Sequence, residues 1–209
     1  MSRNPPKLSI TMLDPSLHSC LDAEALIHAL DARRAWRAES GAKDRSFALV
    51  PKSTRSVLDL GSGTGDDALA LAERLGPEVL VVGLDSRLEL ALEARRRARV
   101  VALNVCFAVG DARCLPFEQG AFDVVRADGL FQAVAEPRLV IHEIVRVLAP
   151  GGKLLIHDRE AVLGDLLVPC TLAGLAAKIE DSFAWQEGSE ERGVSLIATK
   201  PSDRAELVP

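Results

Sequence analysis

The stretch Val57-Leu58-Asp59-Leu60-Gly61-Ser62-Gly63-Thr64-Gly65 constrains this chain more than any other. Apolar residues around a single acid read as a short strand, and glycines in alternation read as a turn. The residues Thr64-Gly65-Asp66-Asp67 then open a helix, with acids placed in its first turn. Glycine has no Cβ, so backbone there takes positive φ and approaches a neighbour or a ligand closely. The dinucleotide-binding fingerprint also places glycines after a strand, but with the spacing G-x-G-x-x-G and a later acid. Here the third glycine comes one place early and Asp59 precedes the turn.

Further landmarks come in order along the chain. The apolar run Glu78 to Leu84 ends at Asp85, 20 residues after Gly65. A third run, Val105-Cys106-Phe107-Ala108-Val109, ends at Gly110-Asp111-Ala112. Phe122-Asp123-Val124-Val125-Arg126 begins a fourth strand, and Leu148 to Ile156 reads as a helix end, a turn and a fifth strand. Helical patterns lie between them, so the sheet is expected to be parallel. Asp66 to Leu75 is one helix, stopped by Gly76-Pro77. Ser86-x-x-Glu89 is a capping box for the next. A helix opening at Pro137 has Val140, Ile141, Ile144, Val145 and Leu148 on its apolar arc and His142 on the solvated side.

This ordered set, over about residues 55–158, resembles the class I S-adenosylmethionine-dependent methyltransferases. Within them it resembles the small-molecule branch near the ubiquinone/menaquinone C-methyltransferases. The resemblance implies an α/β, Rossmann-like, parallel-dominated sheet with helices on both faces and a C-terminal antiparallel hairpin. It implies S-adenosyl-L-methionine as cofactor, with the strand-end carboxylate of Asp85 accepting hydrogen bonds from the ribose hydroxyls and Asp111 facing the adenine amino group. Cofactor-binding positions carried over are Asp59, Gly61, Ser62, Gly63, Gly65, Asp85, Ser86, Gly110, Asp111, Ala112, Ala127 and Asp128. The implied reaction is in-line methyl transfer to a small molecule. Alternatives are an enzyme that uses the sulfonium only as a fixed charge, and a non-catalytic scaffold of the same fold. The intact turn, Asp85 and Asp111 argue against a scaffold, which has no physical need of them. An NAD-binding domain fits poorly, lacking the glycine spacing and a second catalytic domain.

Ligands of open parallel sheets bind beyond the carboxyl ends of the strands. That selects Asp128 and the run His157-Asp158-Arg159-Glu160. His157 is the candidate base by its intrinsic pKa, with Asp158 beside it and His18 just before the first helix as the other candidates. The chain has no tyrosine, which excludes a phenolic base. In metal-dependent catechol-type O-methyltransferases, carboxylates at the strand ends of Asp128 and Asp158 help hold Mg²⁺. The next ligand position is Arg159 here, and a hard cation wants oxygens, so no metal is expected. Relatives often carry a Leu-Gln-His-like run after the fourth strand. Leu130-Phe131-Gln132-Ala133 keeps the Gln and lacks the His, so no role is carried over for it.

Residues 1–54 are expected to form an arm and cap helices, 55–200 the cofactor-binding domain and 201–209 a tail. A first helix runs from Ser19-Cys20-Leu21-Asp22 to about Trp36, and Phe47 to Val50 forms a short one. After Asp158, residues 171–181 are expected to form a helix, and 183–186 and 194–198 the strands of the closing hairpin. Trp36, Phe47 and Phe131 are candidates for an apolar pocket or for core. The small cap implies either a compact acceptor or a homodimer in which a second subunit completes the site. A net charge of −5 and an Arg95-Arg96-Arg97 run on a helix with Glu89 and Glu93 argue against a nucleic-acid partner. No apolar run approaches a membrane span, and the N-terminus lacks a signal-peptide core. The four cysteines show no C-x-x-C spacing, as expected of reduced thiols in a cytoplasmic protein.

Overall fold

A computed structural model describes residues 23–39, 46–184 and 192–202. Its elements are α1 (Ala23–Glu39), β1 (Ser56–Leu60), α2 (Asp66–Leu75), β2 (Leu80–Asp85), α3 (Leu88–Ala98), β3 (Val105–Val109), β4 (Phe122–Asp128), α4 (Pro137–Val147), β5 (Leu148–Arg159), α5 (Glu160–Leu172), β6 (Ala176–Ala184) and β7 (Arg192–Thr199). The strands form one sheet in the order β3-β2-β1-β4-β5-β7-β6. The first five are parallel, and β7 runs antiparallel between β5 and β6. The α/β sheet with its closing hairpin is therefore as the sequence implies.

The strands are apolar on both faces because helices cover both. Alternation assigns Leu58, Val82, Val125, Leu154 and Ile156 to one face, against Val140, Ile141 and Ile144 of α4 and Leu163 and Leu166 of α5. Val57, Val81, Val124 and Leu155 face the other way, against Ala68, Leu71 and Ala72 of α2, Ala94 of α3, and Phe47. His142 lies on the solvent side of α4, as its position in the period requires.

The tail of the sheet differs from expectation. Residues 171–181 are not one helix. Helix α5 occupies Glu160–Leu172, and β6 starts at Ala176, seven residues before the strand expected at 183–186. Helix α5 is apolar around its circumference and contains Pro169, so its sequence shows no amphipathic period. Its end is set by Gly174 at φ +82°: the Gly174 N–H donates to Thr171 O and the Leu175 N–H to Cys170 O. That pair of hydrogen bonds is a Schellman stop, which needs a left-handed residue. The capping box expected at Ser86 does not form either. Arg87 is the N-cap of α3, and its N–H is taken by the Asp85 carboxylate at 2.9 Å. The expected start of the first helix at 19–22 lies outside the described residues.

The Arg95–Arg97 run is more than a solvated face. Arg95 donates to Phe107 O, and Arg97 binds Asp31 of α1, Asp66 of α2 and Glu93. Arg97 thereby ties α1 to the sheet's helical layer, and Leu30 of α1 lies over Gly63.

The turn into α2 is closely packed. Gly65 has φ +81°, and a Cβ there would come within 2.6 Å of the Phe107 ring and 2.7 Å of the Ala94 Cβ. Gly65→Ala is predicted to destabilise the protein by at least about 1–3 kcal/mol, the range for overpacking a filled site. Urea unfolding monitored by circular dichroism measures it, and an unchanged midpoint would contradict this packing.

Candidate active site

The carboxyl ends of β1, β2 and β3 meet at a cavity of about 320 Å³. Gly61, Asp85, Ser86, Gly110, Asp111 and Ala112 line it. Leu130, Val134 and Val140 also line it, and Leu130 packs against Gly61. Backbone bonds hold the three strand ends in register: Gly61 N–H and Ser62 N–H donate to Leu84 O, and Gly110 N–H donates to Asp85 O.

Asp85 is the polar centre of this cavity. One carboxylate oxygen accepts the Gly63 N–H at 2.9 Å, and the other accepts the Arg87 N–H at 2.9 Å. Burial pushes its pKa up, and these amides pull the other way. A carboxylate has about four lone-pair sites, so it retains capacity for a ligand's hydroxyl groups. Asp111 sits at the end of β3. Hydrogen bonds from the Arg113 side chain hold its pKa below the usual carboxylate range. Arg113 also reaches Glu136 at 2.7 Å, so it spans from the β3 end to the start of α4.

Other expected site residues lie around the cavity rather than on it. Gly63 and Gly65 shape the turn, Ser62 ties it to β2, and Ala127 is core. Asp59 is 2% exposed and is joined to Asp128 through the guanidinium of Arg126. Burial, the leading cause, pushes Asp59 up to about 6 against the positive charge of Arg126. Arg126, Asp67 and Arg113 are not among the positions that the family resemblance selects. For Arg126 the sequence does hold a signal, since a lone arginine inside an apolar strand is almost never buried without partners.

The acceptor-side candidates are His157 and Asp158, at the end of β5. Both are buried, at 1% and 0% exposure. His157 is the register partner of Asp128 and shares its sheet face. Asp158 lies on the opposite face, where its carboxylate accepts the N–H groups of Phe131 and Arg159. It thus anchors the short 3₁₀ turn Phe131–Ala133 that comes after β4. Asp128 and Asp158 therefore do not converge as a pair of metal ligands. Phe131 and Phe47 are core residues, 4% exposed each. His18 and its expected role lie outside the described residues.

The strand order and closing hairpin recur in solved methyltransferases. One described as an S-adenosylmethionine-dependent methyltransferase from Aquifex aeolicus superposes with a TM-score of 0.68 at 21% identity, covering 85% of this chain and 98% of that one. That likeness defines the fold. The family described as a methyltransferase domain matches residues 51–198. The chain belongs to this methyltransferase family. Demethylmenaquinone methyltransferase of Thermus thermophilus is 44% identical over 109 residues, 52% of this chain and 49% of that protein. Arsenite methyltransferase of Halobacterium salinarum is 31% identical over 163 residues, 76% of this chain and 41% of that protein. The chain spans about a third to a half of the length of such curated relatives.

The residues present fit the family's cofactor. The cavity is lined by the backbone of Gly61, the carboxylate of Asp85 and, one strand away, the carboxylate of Asp111. Asp85→Ala is predicted to weaken S-adenosylmethionine binding by roughly 1.5–3 kcal/mol, the worth of hydrogen bonds to a charged acceptor. Calorimetry on the folded variant checks this, and wild-type affinity would contradict the assignment.

Proposed function

We propose that the protein transfers a methyl group from S-adenosylmethionine to a small organic acceptor. One observation carries this reading: three consecutive strand ends bring Gly61, Asp85 and Asp111 to a single cavity. Asp85 would hold the ribose, Asp111 the adenine amino group, and Gly61 the backbone-lined wall between them. The cofactor supplies a methyl already activated on a sulfonium. The protein's task is alignment, and orientation alone is worth roughly 7–11 kcal/mol of barrier.

Removal of an acceptor proton is assigned to His157, supported by its place at the end of β5 beside Asp128. Its burial does not count against it, since catalytic contacts often form only in the complex. Asp158 supports this end of the site through the 131–133 turn. His18 remains a proposed second base, supplied from the cap.

Relatives act on demethylmenaquinone or on arsenite, according to their names. Cys106 and Cys170 pack with the apolar core, so thiolate capture of arsenite is not part of this proposal. Nucleic acid is not proposed as a partner, because Arg96 and Arg97 are committed to acidic side chains. Among the described residues no helix is long and apolar enough to cross a membrane. A cytoplasmic location belongs to the proposal, resting on the free thiols of Cys106, Cys114 and Cys170. So does a homodimer, and sedimentation with and without cofactor tests it.

Methyl release from labelled cofactor against a panel of quinols, phenols and amines tests the reaction. Turnover with none of them, in a protein that binds the cofactor, would reject transfer to these acceptor classes. For the base, His157→Ala is predicted to lower the rate by about 10²–10⁴-fold with cofactor binding retained, and His157→Gln not to restore it. A loss under about tenfold in both would leave alignment as the whole of catalysis.

A further inference from the structure

Asp111 stands at the end of β3 on the cavity, and one residue takes up most of its acceptor capacity. Its Oδ1 accepts the Arg113 backbone N–H at 2.8 Å. The Arg113 side chain meets both oxygens. Its Nε–H is shared between Oδ1 at 3.1 Å and Oδ2 at 3.0 Å, and Nη2 donates to Oδ2 at 2.8 Å. The remaining nitrogen, Nη1, donates to Glu136 Oε2 at 2.7 Å. Glu136 is the N-cap of α4. The guanidinium therefore joins the cavity-lining segment 110–113 to the start of α4, next to the lining segment 133–135.

Stability alone gives little reason for this arrangement. The side chains of Asp111, Arg113 and Glu136 are 28%, 39% and 53% exposed, and exposed ion pairs contribute little. The segment is also fastened by other bonds. Glu143 accepts the Leu115 N–H, Arg146 donates to Leu115 O and Phe117 O, and the Cys114 N–H closes the turn on Asp111 O. What Arg113 adds is the definition of one carboxylate. A carboxylate has about four lone-pair sites. Three N–H groups of Arg113, one from the backbone and two from the side chain, fill most of them and leave about one for a ligand's donor.

We propose that Arg113 is a positioning residue: it fixes Asp111 to accept one hydrogen bond, from the exocyclic amino group of the cofactor's base, and so makes the site selective for adenine. This inference rests on the cofactor reading above. Arg113 acts through Asp111, and the planar fork, rather than the charge alone, sets where the carboxylate points. With the fork removed, the carboxylate is free to turn, and the amino group loses its advantage.

The readout is a ratio of two affinities measured by calorimetry. One ligand is S-adenosylhomocysteine, and the other is its analogue with hydrogen in place of the adenine amino group. Wild type is expected to prefer the amino compound by about tenfold or more, the worth of a hydrogen bond to a charged acceptor. Arg113→Met is expected to lower that ratio severalfold, chiefly by weakening the amino compound. A merely structural role would weaken both ligands together and leave the ratio as it was. Arg113→Lys keeps the charge without the fork and is expected to show the same loss, and it carries the test if Arg113→Met does not fold. Glu136→Gln leaves Arg113 on Asp111 and is expected to keep the wild-type ratio. A wild-type ratio in either folded Arg113 variant would overturn the inference. So would tighter binding of the amino compound by Arg113→Met, which would make Arg113 a competitor for the carboxylate. An equal fall in Glu136→Gln would place the effect in the link to α4 and overturn it too. Failure of wild type to bind either ligand would instead overturn the cofactor reading itself.

Discussion

The turn from β1 into α2 lies against β3 because nothing larger than hydrogen projects from Gly65 toward Phe107 and Ala94. Much of the site's geometry depends on this close approach. It sets α2 down on the sheet, brings the Gly61 and Ser62 amides onto Leu84 O, and places the Gly63 amide on the Asp85 carboxylate. The cavity is the space left beyond the strand ends once the turn is seated. A helix docked farther out would leave a wider cleft and no reason for the Asp85 oxygens to point at the turn. Site and packing are therefore one constraint, which is why the glycine-rich stretch is informative about both.

The legible part of the chain is that built on local rules. Runs such as Leu80–Asp85 and Val105–Val109 are short, apolar and bounded by turn residues, and they are strands where expected. The acids that close them, Asp85 and Asp111, reach the cavity because a strand end has only one direction open to solvent. The illegible part is the region after Asp158. Helix α5 carries apolar residues, Val168 and Leu172, on its exposed side as well as in the core and so shows no period, and β6 carries Lys178 and Glu180 where an interior strand would carry valines. The group of Arg126 with Asp59, Asp67 and Asp128 is not legible as a unit either. Its members are 67, 59 and 2 residues from Arg126 in the chain, and only the β1–β4 register and the α2 start bring them together.

Charge burial in this protein is concentrated at the functional end of the sheet. Among the described residues, the apolar layers below it are free of such groups. Asp59, Arg126, His157 and Asp158 all sit near the strand carboxyl ends and are at most 2% exposed. Asp59 has a raised pKa, near 6 against 3.8 for the free side chain. A raised acid favours the fold most below pH 3.8 and loses that contribution as pH rises through about 6. Arg126 offsets the loss, because burial alone would lower its pKa but the charges of Asp67, Asp59 and Asp128 hold it above the usual arginine value.

On the proposed function the cofactor lies across the carboxyl ends of β1, β2 and β3. Amide chemical shifts monitored by ¹⁵N–¹H NMR during titration with S-adenosylhomocysteine test it most directly. The largest changes are predicted at Gly61, Asp85, Ser86, Gly110, Asp111 and Ala112, the residues that line the cavity. Changes centred instead on α5 and β6, with those amides unmoved, would contradict the account.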